Sequence, residues 1–187
     1  MKVYLAGPDV FLPDAPAHAR RKLAICARHG LEGLTPLNED VLSLGPLEEE
    51  HAWPMIFAKD IAMMEAAELA ILNLTPFRGA SADAGTLVEL GWFLARGTPV
   101  IGYSNDPTPF AARCHALSAA WGDPLPGIAV EGFGLPDNVM VAGALAAGEG
   151  VGMLLPPDGQ ALPFDSLALF EAAVRLAAVR LAARRRG

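Results

Sequence analysis

The chain has 187 residues and a formal net charge of −7, a size that fits one domain spanning 1–187 and burying roughly 70% of the surface its unfolded form exposes. Hydrophobic residues make up 52% and aromatics 7%; with Ala and Leu supplying much of the apolar share, this favours helices packed on a sheet and argues against disorder. The acidic balance disfavours binding to a nucleic-acid polymer, which needs a cationic surface to release counterions, and leaves small molecules as the expected ligands.

Val3 to Ala6 is a short apolar run that stops at Gly7-Pro8, the pattern of a buried first strand ending at a turn. That run is too short for the core of a signal peptide, and no apolar stretch of about 20 residues follows, so no membrane association and a cytoplasmic location are expected. Ala17 to His29 has helical spacing, with Gly30 where a helix-terminating glycine belongs. Leu31 to Pro36 reads as a second strand, and the acidic segment from Asn38 to Glu50, broken by Gly45-Pro46, reads as a loop. Trp53 to Ala67 is predicted helical and Glu68 to Leu74 a strand. Gly79 to Gly85 is a predicted loop, Thr86 to Arg96 a helix closed by Gly97, and Pro99 to Tyr103 another buried strand.

The stretch from Asn105 to Gly134 is rich in Pro, Gly and Ala, with Phe110 and Trp121 as isolated anchors, and reads as a lid or an oligomer contact. Pro136 to Gly150 fits either a helix or a mobile loop. Asp165 to Arg186 reads as a last helix with Asp165 or Ser166 as N-cap, its terminal arginines at the negative end of the helix dipole. Alternating strands and helices imply parallel strands joined by right-handed crossovers. Cys26 and Cys114 lack redox or zinc spacing, and His18, His29, His51 and His115, with no metal or catalytic pattern, are expected at the surface.

Two acids stand out. Asp83 and Glu89 flank a glycine turn between a strand and a helix, where ligands bind in open α/β sheets. An acid inside the apolar run Leu87-Val88-Glu89-Leu90 needs a partner or a chemical role, and Glu89 is read as an ionised nucleophile. Paired carboxylates raise each other's proton affinity, so that one stays protonated while the other ionises. Taken singly, Glu89 would be an ion-paired helix residue, Asp83 an N-cap, Asp60 an exposed helix acid, Tyr4 a core residue and Asn138 part of a turn.

Three separated blocks change those odds: Tyr4-Leu5-Ala6-Gly7-Pro8-Asp9-Val10-Phe11, then Pro76-Phe77-Arg78-Gly79 with Asp83-Ala84-Gly85-Thr86-Leu87-Val88-Glu89-Leu90-Gly91, then Glu131-Gly132-Phe133-Gly134-Leu135-Pro136-Asp137-Asn138. Together, in this order, they resemble the nucleoside 2-deoxyribosyltransferases over most of residues 1–140. The resemblance implies a flavodoxin-like three-layer α/β/α sandwich with a mostly parallel five-stranded sheet. It implies transfer of a 2-deoxyribosyl group between nucleobases by retaining double displacement, with Glu89 forming the sugar ester, Asp83 managing the base proton, Asp60 orienting nucleophile and sugar, and Tyr4 hydrogen-bonding Glu89. Gly7, Pro8, Phe11, Phe77, Arg78, Gly79 and Gly85 match substrate-binding positions. Asn138 matches an asparagine that reaches the sugar 5′-hydroxyl in a neighbouring subunit.

The implied partners are a deoxynucleoside and a free nucleobase, in a homo-oligomer built from dimers, up to a hexamer, with no metal and no organic cofactor. Some relatives offer a C-terminal carboxylate to the site, a contribution not expected from the segment Arg184-Arg185-Arg186-Gly187. One alternative is an N-glycoside hydrolase of deoxynucleoside 5′-monophosphates, for which Ser81 and Thr86 are candidate phosphate contacts at a helix N-terminus. The other is a non-catalytic protein that binds a nucleotide-derived ligand.

Overall fold

The structure, a computed structural model, describes residues 1–37, 46–147 and 152–184. Strands β1 (Lys2–Ala6), β2 (Glu32–Leu34), β3 (Leu69–Asn73), β4 (Val100–Tyr103) and β5 (Met153–Leu154) form one sheet in the order β2-β1-β3-β4-β5. Every neighbouring pair is parallel, so the sheet is wholly parallel where the sequence implied mostly parallel. Around it the described residues form six α-helices: α1 (Ala15–Arg28), α2 (Pro46–Ala66), α3 (Ala84–Ala95), α4 (Phe110–Trp121), α5 (Val139–Ala147) and α6 (Ala168–Arg184). This is the expected flavodoxin-like α/β fold.

Alternation along each strand divides the core between the two faces of the sheet. Val3, Leu5, Ile71 and Ile101 point to one face and pack with Ile25 and Cys26 of α1 and with Phe170, Ala173, Val174 and Ala177 of α6. Tyr4, Ala6, Ala70 and Leu72 point to the other and meet Met64 of α2, Leu90 and Phe93 of α3, and Val141 and Leu145 of α5. All five residues of β3 are buried, as a central parallel strand covered by helices on both sides requires. Gly30 (φ 72) and Gly97 (φ 65) follow α1 and α3 in the left-handed conformation that lets a helix stop abruptly.

Several local expectations give way. Helix α2 begins at Pro46, so the end of the predicted acidic loop is helical, while residues 38–45 lie outside the described residues. A proline is compatible with a first helical position because its missing N–H would be unpaired there in any case, and Leu47-Glu48-Glu49-Glu50 are good helix formers. Pro54 lies inside the helix, and the sequence had placed the helix start beside it. The stretch read as a lid or oligomer contact contains α4, whose Ala-rich sequence has high helix propensity; Phe110 is half-buried but Trp121 is exposed.

Residues 139–147 are helical, settling that alternative, whereas 148–151 lie outside the described residues. Helix α6 starts at Ala168, so neither Asp165 nor Ser166 immediately precedes it; Ser166 Oγ accepts instead from the Ala168 N–H at 3.4 Å. The terminal residues 185–187 and the Arg184 side chain are outside the described region. His18 is buried rather than at the surface, with Nε2 3.7 Å from Asp9 Oδ1 and Nδ1 3.2 Å from Arg21 Nη2, and its burial lowers its proton affinity. Among the described residues no helix is long and apolar enough to cross a membrane.

Phe170 is fully buried and edges onto Tyr103 at 6.3 Å between ring centroids. Phe170→Ala should lower the unfolding free energy by about 3–5 kcal/mol in urea denaturation; a loss below about 1 kcal/mol would show that α6 contributes little to the core.

Candidate active site

The strand order reverses between β1 and β3, and the crevice at the C-terminal ends of those strands is where such sheets bind ligands. Directly after β1, Gly7 has φ 139, and a Cβ there would lie 2.6 Å from Asn73 Cβ. Only glycine lets the chain turn so close to β3. The turn continues through a short 3₁₀ segment, Pro8–Phe11.

A cavity of about 340 Å³ opens beside this turn. Asp60 of α2, Asp83 before α3 and Glu89 within α3 bring three carboxyl groups to its wall, while Val10, Phe11, Leu37 and Ile56 supply apolar surface. Gly7, Gly85 and Thr86 complete the part nearest the sheet. The distribution suits a small ligand with a flat apolar portion and a polar portion.

Glu89 is half-buried, and its Oε1 accepts a 2.6 Å hydrogen bond from the Tyr4 hydroxyl. Burial pushes its carboxyl pKa up to about 7, and the charges of Asp60 and Asp83 push the same way against the Tyr4 hydrogen bond, which favours the ionised form. The ionised nucleophile read from the sequence is therefore, near neutral pH, a group poised midway through titration. Tyr4 has no exposed surface; burial first, then the adjacent Glu89 charge, hold its hydroxyl protonated far above its ordinary range, so it acts as a donor.

Asp83 caps α3: its Oδ2 accepts from the Thr86 N–H at 3.0 Å and from the Thr86 hydroxyl at 3.1 Å. The N-cap and part of the cavity wall are thus the same side chain. A Cβ on Gly85 would stand 3.1 Å from that oxygen, so a side chain there would press on the capping carboxylate.

The remaining predicted positions divide. Phe11 lines the cavity and stacks on Phe77 at 5.3 Å, and Phe77 meets Phe164 at 6.3 Å. Arg78, at φ 54, lies over the Phe77 ring at 5.3 Å. Pro8, Phe77, Arg78 and Gly79 do not line the cavity itself. Asn138 faces a separate hollow shared with Ser81, Leu87 and Val141; its Nδ2 donates to Glu131 Oε2 at 3.0 Å and its Oδ1 accepts from the Met140 N–H at 3.0 Å.

A second buried acid escaped the sequence reading. Asp9 Oδ2 is 2.6 Å from Lys22 Nζ, and its Oδ1 accepts from Asn73 Nδ2 at 2.8 Å. Burial alone would raise its pKa, but the Lys22 charge and these hydrogen bonds hold it below the usual carboxylate range. The cluster ties the Pro8–Phe11 turn to α1 and to the end of β3. Its signal was available: Asp9 sits among apolar residues just after Gly7-Pro8, the same anomaly that drew attention to Glu89.

With this geometry in view, a family model described as nucleoside 2-deoxyribosyltransferase matches residues 3–140. A 2-deoxyribosyltransferase from Leishmania mexicana has a similar structure, with a TM-score of 0.60 and 30% sequence identity over 95% of this chain and 97% of that one. A conserved protein from Enterococcus faecalis V583 shares the fold at a TM-score of 0.56 and 17% identity, covering 95% and 98% of the two chains. An uncharacterized protein of Schizosaccharomyces pombe is 35% identical over 127 residues, which are 66% of this chain. The match spans only 59% of the length of that relative.

Because the folded protein holds the Glu89 proton more tightly than the unfolded chain does, ionising Glu89 costs stability as pH rises from the ordinary carboxylate range through about 7. Glu89→Gln removes that cost. Its melting temperature should exceed wild type by several degrees near pH 8 and by much less near pH 5; an equal difference at both would show that Glu89 does not titrate abnormally.

Proposed function

The chain belongs to the nucleoside 2-deoxyribosyltransferase family, and from that premise we propose that it moves a 2-deoxyribosyl group from one nucleobase to another through a sugar ester on Glu89. The observation that carries the proposal is the Glu89 carboxyl, held at 2.6 Å by a buried tyrosine in a cavity it shares with Asp83 and Asp60. In the first step a Glu89 oxygen bonds to the anomeric carbon as the bond to the base nitrogen breaks, and the departing base takes its proton through Asp83. In the second, an incoming base displaces the carboxylate. Two inversions keep the configuration.

Tyr4 favours the ionised form of Glu89 before attack and holds the same oxygen when it becomes a leaving group. Asp60, on the wall of the same cavity, orients the sugar. Phe11, buttressed by Phe77, offers an aromatic face to the base. Asn138 lies outside the Glu89 cavity of its own chain, which supports a role at the sugar 5′-hydroxyl of a second copy in a homo-oligomer. These residues need no organic cofactor for either step, and the reaction suits reuse of deoxynucleosides in the cytoplasm.

Hydrolysis of deoxynucleoside 5′-monophosphates fits less well. The Ser81 hydroxyl is 2.6 Å from Asp137 Oδ1 and the Thr86 hydroxyl is bound to Asp83, so both proposed phosphate contacts are engaged with carboxylates. A phosphate dianion would also sit beside three acids with no cationic residue among the described residues of the cavity wall. A non-catalytic ligand-binding role leaves the raised proton affinity of Glu89 without a use.

Incubation with 2′-deoxyinosine or thymidine and a second free base should yield the exchanged nucleoside; failure across purine and pyrimidine pairs would remove the proposal. Glu89→Ala should slow exchange by on the order of 10³-fold or more. Since the nucleophile must be ionised, kcat/KM should fall as pH drops through about 7. Tyr4→Phe deletes the hydrogen bond that opposes burial, so this acidic limb should move to higher pH; a limb that stays in place would contradict the role given to Tyr4.

A further inference from the structure

Arg113 of α4 is a buried cation that belongs to none of the three motif blocks, and its contacts converge on the loop that carries Asp83. Its Nε donates to the Ala80 carbonyl at 2.7 Å, one Nη donates to the Thr108 carbonyl, and the other donates to the Pro136 carbonyl at 2.6 Å. The same Nη lies 3.7 Å from Asp137 Oδ2, and Asp137 has no exposed surface. Asp137 in turn grips the loop from its other side: Oδ1 accepts from the Ser81 hydroxyl at 2.6 Å, and Oδ2 from the Ala82 N–H at 2.9 Å. A third bond, 2.7 Å from the Asn138 N–H to Asp137 Oδ1, joins this carboxylate to the residue before α5.

A fully buried carboxylate and a buried guanidinium are costly unless each is paired and hydrogen-bonded, and here both are. Removing the charge from Asp137 by Asp137→Asn leaves Arg113 buried against carbonyls alone and turns one of the two oxygens that accept from Ser81, Ala82 and Asn138 into an N–H donor. What the pair holds is specific: Ala80, Ser81 and Ala82 are the three residues that lead into Asp83, the N-cap of the helix bearing Glu89. We propose that Arg113 and Asp137 are positioning residues that lock residues 80–82 and thereby aim the Asp83 carboxyl at the departing base, setting which bases can be released. This rests on the reading of Asp83 as the group that handles the base proton.

The clamp acts on proton delivery rather than on attack by Glu89, which is held separately by Tyr4 from β1. Its loss should therefore depend on the leaving group. A guanine must gain a proton as it departs from 2′-deoxyguanosine, whereas the cationic base of 7-methyl-2′-deoxyguanosine departs neutral without one. A general weakening of the fold would slow both donors alike.

The variants are Asp137→Asn and the milder Ser81→Ala, which deletes one hydroxyl from the clamp and guards against misfolding of the first. In Asp137→Asn, transfer from 2′-deoxyguanosine should fall by on the order of 10²-fold while transfer from the 7-methyl donor falls by less than about 3-fold. In the free protein, amide hydrogen exchange should quicken across residues 79–86 in both variants, and elsewhere remain as in wild type. Wild-type exchange across that segment, or equal loss with both donors, overturns the proposal. If wild type transfers from neither donor, the failure lies with the assigned reaction, and hydrogen exchange still decides whether the clamp orders the loop.

Discussion

The 2.6 Å hydrogen bond from Tyr4 to Glu89 joins the first strand of the sheet to α3, packed on the face to which Tyr4 points, and the reaction proposed for the site depends on it. Tyr4 is fixed by the core: it has no exposed surface and its ring leans on Phe93 at 5.7 Å. It therefore presents a donor in one direction with little orientational freedom to lose. Glu89 is subject to two opposed effects, burial that favours the proton and a hydrogen bond that favours the charge, and the balance lies at about 7. A carboxylate with a raised pKa is a better nucleophile than one of ordinary acidity and remains available near neutrality.

Other features bring that pair together and keep the cavity open. The reversal of strand order places β1 beside β3 and leaves the crevice, and the absence of a side chain at Gly7 lets the connecting turn cross the end of β3. Asp9, Lys22 and Asn73 then anchor the turn, and Asn73 Oδ1 passes the network on by accepting from the Thr75 N–H at 3.1 Å and the Thr75 hydroxyl at 2.6 Å. A buried ion pair of this kind adds little net stability over a well-packed apolar replacement, so its contribution is better understood as fixing geometry. Asp83 both starts α3 and faces the cavity, while Glu89 on the same helix is held from β1 by Tyr4.

Four of the five strands and the helices next to them were legible because their signals are local, whereas β5, only Met153–Leu154, is too short to carry a periodic signal and was not among the expected strands. β3 is an unbroken apolar run, and Gly30 and Gly97 sit where helices must stop. The acids Asp83, Glu89 and Asp60, and Tyr4, could be chosen from motif order; the three acids line one cavity, and Tyr4 is bonded to Glu89 from the core behind it. What the sequence hid was long-range pairing. Asp9 finds Lys22 from another element, His18 is buried by the same cluster, and Arg113 finds carbonyls on both sides of the chain. None of these has a periodic or short-spaced signature. Helix α4 was obscured by the glycines and prolines that follow it, and the start of α2 by a proline that opens a helix as readily as it ends one.

The most direct test is mass spectrometry of the protein mixed with a donor deoxynucleoside alone and quenched in acid. The account predicts a protein heavier by one 2-deoxyribosyl group, with the added mass on the peptide that contains Glu89, and loss of that mass on addition of an acceptor base. Exchange of bases with no such adduct at any time, or an adduct mapped to another residue, would contradict it.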